Sequence, residues 1–150
     1  MNFLGAWGRR LRLYTVLATL CLSGVLSSCG SPGKNLQVAK DSVGMFHAQL
    51  DAEQYSSIYS TTDEKFHQIT SETDFTKLLQ AIHNKLGTVQ QSNLRNERIS
   101  WYAGLGTTVT LVYDTRFADG TGTEQFVWRI TAGQASLYGY HINSNDLITR

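Results

Sequence analysis

A chain of 150 residues has room for one ordinary domain, and its 41% apolar and 11% aromatic content is that of a globular protein rather than a disordered one. The formal charge of +1 is unevenly placed: Arg9, Arg10 and Arg12 precede an apolar run, and no acid occurs before Asp41. From Cys29 onward 122 residues carry 10 basic and 12 acidic side chains, a net charge of −2, which argues against nucleic acid or a polybasic membrane-surface role.

Residues 1–12, with three arginines and no acid, have the character of a signal-peptide n-region. Leu13 to Leu26 is an uncharged run of 14 residues, the length of an h-region and shorter than the roughly 20 residues of a membrane span. The run ends in Leu26-Ser27-Ser28-Cys29. This tetrad resembles the lipobox of bacterial lipoproteins. The resemblance implies a diacylglyceryl group on the Cys29 sulfur, loss of residues 1–28, and a further acyl chain, palmitate among them, on the freed amine. One buried chain anchors only marginally at about 0.8 kcal/mol per methylene, whereas two or three hold durably. Gly30, where an aspartate would signal retention, implies delivery to the periplasmic face of the outer membrane of the cell envelope. Cys21 would leave with the signal peptide, so no internal disulfide is expected. The organisation expected is a signal peptide at 1–28, a lipidated cysteine and flexible tether at 29–34, and a single α+β domain at 35–150.

Within that domain, Asn35 is a helix cap, and Leu36, Ala39, Val43, Phe46 and Leu50 form one apolar stripe at helical spacing. A short helical piece follows, with Tyr55, Ile58 and Tyr59 to one side. Thr61 and Glu64 have the spacing of a capping box ahead of Phe66 and Ile69. Phe75, Leu78, Leu79, Ile82 and Leu86 then share a helix face that Gly87 terminates.

The period changes after Gly87. Val89–Arg98 reads as a polar edge strand, followed by Ile99–Ala103 and a bend at Gly104-Leu105-Gly106. In the next strand Val109, Leu111, Tyr113 and Phe117 alternate with Thr110, Asp114 and Arg116. Asp119-Gly120 signals a turn, Phe126, Trp128 and Ile130 share a face of the third strand, and Ala135–Asn143 is the last. Helices first and an antiparallel meander after them make an α+β fold, with the helices packed on a curved sheet of about four strands.

Leu86-Gly87-x-Val89, Val109-x-Leu111-x-Tyr113, Gly122-x-Glu124 and Gly139-Tyr140-x-Ile142 resemble small secreted bacterial domains of unknown function within the nuclear-transport-factor-2-like, or cystatin-like cone, fold. The resemblance implies a cup-shaped domain and brings no activity with it. Those domains usually carry a tryptophan four residues before the glycine of the last motif, where this chain has Ala135.

Chemistry is thinly marked. His47, His67, His83 and His141 form no paired ligand motif, so no metal is expected, and His47 and His83 read as solvated edges of their helices. No nucleophile elbow, P-loop or dinucleotide fingerprint occurs, and no cofactor is expected. A cup would be lined by Tyr113, Trp128, Tyr138 and Tyr140 as ligand-pocket candidates. A three-residue turn at Ala132-Gly133-Gln134 puts Tyr138, Tyr140 and Ile142 on the Trp128 face. A two-residue turn puts Leu137, Gly139 and His141 there instead, with His141 opposite Glu124. The expected function is a lipid-anchored, non-enzymatic module that binds an envelope protein or a small apolar ligand, with membrane contact through Cys29. The alternative is a cone-fold isomerase or hydrolase using Glu124 and His141 as its acid–histidine pair.

Overall fold

The computed structural model describes residues 32–149, so the expected signal peptide and the expected lipidation site Cys29 lie outside the described residues. The first helix, α1 (Pro32–Asp51), begins earlier than Asn35. Proline at a first helical position loses no hydrogen bond and has its φ preset, so Pro32 to Lys34 are helical rather than part of a tether. Ala39, Val43, Phe46 and Leu50 are buried along the stripe. His47 is buried with them, because it stands four residues after Val43 and so faces the same way.

Two single-turn helices follow, α2 (Tyr55–Ser60) and α3 (Glu64–Ile69). The cap of α3 is Asp63, whose carboxylate accepts from the Lys65 backbone N–H at 2.9 Å. The Thr61 capping box does not form, since the Thr61 hydroxyl donates back to the Ile58 carbonyl at 2.8 Å. Helix α4 (Glu72–Leu86) starts on Ser71, with Glu72 and Asp74 in the first turn where the helix dipole favours acids. Phe75, Leu79, Ile82 and Leu86 are buried, while Leu78 lies on the flank at 40% exposure. Gly87 then takes φ 76° and ψ −163°, a backbone conformation open essentially to glycine alone.

The sheet is a four-stranded antiparallel meander in the order β1 (Val89–Tyr102), β2 (Gly106–Phe117), β3 (Thr121–Thr131), β4 (Gln134–Asn143). The fold is α+β, with helices before an open sheet. β1 is one continuous strand, and its register with β2 shifts between Val89 and Gln91 and between Leu94 and Asn96. Two extra residues explain why its alternation is weak in sequence. On β2, Val109, Leu111, Tyr113, Thr115 and Phe117 are buried. On β3 the buried set is Glu124, Phe126, Trp128 and Ile130. Phe126 is the hub of the core, with ring contacts to Phe46, His47, Tyr113, Trp128 and Tyr140. A four-residue helix, α5 (Asp146–Thr149), closes the described chain.

The register of β4 combines both alternatives. The turn is the two-residue one: Thr131 pairs with Gln134, and Ala132 and Gly133 take φ of 52° and 78°, the left-handed values of a tight hairpin. Trp128 accordingly faces Leu137, but Val127 faces Gly139, so Tyr138 is an extra residue. That bulge inverts the phase beyond it, and Phe126 faces Tyr140 while Glu124 faces Ile142. A Glu124–His141 pair is therefore not formed. His141 lies opposite Gln125 and is exposed.

Candidate functional site

The inward phase of β3 carries one carboxylate among its apolar residues, and a fully buried carboxylate needs partners. Glu124, with 0% exposure, has three. The His47 Nε2 lies 2.9 Å from its Oε2, the Thr115 hydroxyl donates to the same oxygen at 2.5 Å, and the Tyr140 hydroxyl donates to Oε1 at 2.8 Å. Thr115 in turn shares a hydrogen bond of 3.0 Å with the Ser92 hydroxyl. Each partner comes from a different element: α1, β2, β4 and, through Thr115, β1. The network ties the long helix to all four strands.

Its electrostatics are most visible at Tyr140. Burial raises the Tyr140 hydroxyl well above the ordinary tyrosine value, and the Glu124 charge and the hydrogen bond to it push the same way. Tyr113 is raised as well, by burial and then by the charge of Glu97. Both carboxylate oxygens of Glu124 are occupied by protein donors, and the side chain has no contact with solvent. Such an arrangement orients and stabilises. A general base also needs an open approach for the proton it takes.

The ligand-pocket candidates divide between two settings. Tyr113 and Tyr140 belong to the aromatic core around Phe126, and Tyr138 is the bulge residue of β4. Trp128 faces a real concavity, a groove of about 480 Å³ between α1 and the β3–β4 hairpin. Phe46 and Trp128 line it together with Met45, which is 59% exposed. The buried indole N–H of Trp128 finds no acceptor among the described residues. A second concavity of similar size is lined by amides and hydroxyls, Asn93, Thr123 and Asn143 among them, together with the charged Asp114 and Arg116.

The remaining histidines serve locally. His67 stacks on Tyr59 with ring centroids 4.5 Å apart, and His83 lies 3.8 Å from Glu53. Among the described residues no group of three or more histidine, cysteine, aspartate or glutamate side chains could hold a metal. The residue that spacing overlooked is His47. Its place in the helical stripe after Val43, and the phase of Glu124 with Phe126 and Trp128, were the available signals.

Residues 44–140, roughly two thirds of the chain, match the family described as a protein of unknown function (DUF4019). The chain belongs to the DUF4019 family. The DUF4019 span runs from the middle of α1 into β4 and contains His47, Thr115, Glu124 and Tyr140, so the whole carboxylate network lies within it. It also includes Phe46 and Trp128 of the groove. A search of curated proteins finds no match to this DUF4019 chain.

Proposed function

We propose that this DUF4019 chain is a lipid-anchored, non-enzymatic binding module of the bacterial cell envelope, held at the periplasmic face of the outer membrane through Cys29. The anchor rests on the Leu26-Ser27-Ser28-Cys29 tetrad behind its basic and apolar segments. The observation that carries the binding role is the groove between α1 and the β3–β4 hairpin. It has an apolar floor in Phe46 and Trp128, and Ser42, Gln49, Gln134 and Ser136 are among its other lining residues. An apolar floor flanked by hydroxyls and amides suits an apolar small molecule or protein segment with polar edges. The buried His47–Glu124 pair is occupied by its own fold, which favours binding over turnover at Glu124. The helices on one face of an antiparallel sheet also accord with the nuclear-transport-factor-2-like resemblance.

A photo-crosslinking residue in place of Met45, at the lip of the groove, tests this in intact cells. A discrete adduct is expected at Met45 and not at the exposed control position Ile69. Equal, diffuse labelling at both positions would contradict a groove-centred binding role.

A further inference from the structure

One end of the molecule gathers exposed aromatic residues where the anchored terminus emerges. Two contacts fix the direction of α1 against β1. Val89 N–H donates to the Asp51 carboxylate at 2.9 Å, and Lys40 pairs with Glu97 at 2.7 Å. The helix therefore runs antiparallel to the strand. From Lys40 back to Pro32 the helix rises about 12 Å at 1.5 Å per residue. From Glu97 on to Tyr102 the strand advances about 17 Å at 3.3 Å per residue. The start of α1 and the tip of the β1–β2 hairpin thus share one end. The β3–β4 turn is there too, since Thr107 pairs with Ile130.

The hairpin tip is apolar and uncovered. Trp101 is 72% exposed, Tyr102 54% and Ile99 40%. Ile99 faces Val109 on the helix side of the sheet, and Trp101, two residues on and on the same face, is left largely uncovered. Lys34 is exposed at the start of α1, Lys40 is paired with Glu97, and Asp63, bonded to Leu137 and paired with Arg129, lies at the level of Ile99. Asp51, Asp119 and Asp146 are at the opposite end, around the β2–β3 turn and the strand ends beside it.

We propose that the tip of the β1–β2 hairpin docks on a lipid bilayer, with Trp101 and Tyr102 seated in the headgroup layer. Tryptophan and tyrosine favour that layer because their rings are apolar and their N–H and O–H groups stay hydrated. Lys34, exposed at the start of α1, suits the anionic headgroups of a bacterial membrane. Cys29 precedes Pro32 by three residues, and three residues of chain span at most about 11 Å. A lipid on Cys29 therefore brings this end, and not the opposite one, to the bilayer. The docking rests on the anchored reading above and adds an orientation: the β3–β4 turn that borders the groove lies toward the membrane, and the end with Asp51, Asp119 and Asp146 points away from it.

The test uses the full chain, purified from bacterial membranes and reconstituted in phosphatidylethanolamine–phosphatidylglycerol vesicles. Trp7→Phe leaves Trp101 and Trp128 as the emitters, and Trp128 is buried at 3% exposure. Phospholipids brominated high on the acyl chain quench tryptophans that touch the bilayer. The Trp101 share of the emission, read as the difference from Trp101→Phe, is expected to be roughly halved by the brominated lipid. Unchanged emission from a chain that still floats with the vesicles overturns the docking and leaves the anchor standing; the tip would then be free for a protein partner. A chain that does not float overturns both.

Discussion

His47 and Glu124 stand 77 residues apart in the chain, and their side chains meet at 2.9 Å in the interior. The contact joins α1 to β3, and Thr115 and Tyr140 complete the ring of donors around the carboxylate. Removing one partner of a buried pair leaves the other unsatisfied and costs roughly 3–5 kcal/mol. Glu124→Leu is accordingly expected to lower the urea unfolding free energy by about that amount, and His47→Leu by a similar one. The double variant should lose less than the sum, with a coupling of about 1–3 kcal/mol. Additive losses in equilibrium denaturation would mean that the two side chains do not act together.

Tyr140 makes the same network sensitive to alkali. Its proton is bound more tightly in the folded chain than in the unfolded one, because burial and then the Glu124 charge disfavour phenolate. The folded-state value is raised, so the contribution is fully present below about pH 10, where unfolded tyrosine holds its proton, and is lost as pH rises toward the folded-state value. Tyr140→Phe should flatten the alkaline limb of a stability-versus-pH curve above about pH 10. Tyr55 and Tyr113, also raised, would leave a residual slope. An alkaline limb identical in wild type and Tyr140→Phe would count against the carboxylate network as its source.

Gly87 is the tightest junction between the helical half and the sheet. At φ 76° a side chain is strained, and a Cβ there would lie 2.8 Å from Asp119 Oδ2 and 2.9 Å from Ala118 Cβ. Gly87→Ala is expected to destabilise by roughly 1–3 kcal/mol, readable as a lower thermal midpoint. An unchanged midpoint would show that the α4–β1 junction relaxes freely.

Periodicity made most of the fold legible. The stripes of α1 and α4 and the alternation of β2 and β3 each followed from residues close in sequence, such as Val43 with Phe46 or Phe126 with Trp128. What spacing could not supply was the bulge at Tyr138. The Ala132-Gly133 turn sets one phase, and a single extra residue reverses it four residues later without any mark in composition. Counting from a two-residue turn, one of the two open alternatives, brings His141 to Glu124, where the fold brings Ile142. The true partner, His47, was legible only in part. Its four-residue spacing from Val43 puts it on the buried face, but no local pattern joins α1 to β3. The hairpin at Gly104-Leu105-Gly106 was readable, whereas the exposure of Trp101 beside the start of α1 appears only in three dimensions.

The anchored reading depends on one atom, the Cys29 sulfur. Metabolic labelling with radiolabelled palmitate, in cells producing the wild-type chain or Cys29→Ser, tests it most directly. The reading predicts label on the wild-type chain, none on Cys29→Ser, and accumulation of the variant as the longer precursor. Palmitate incorporated into Cys29→Ser as efficiently as into wild type would contradict it.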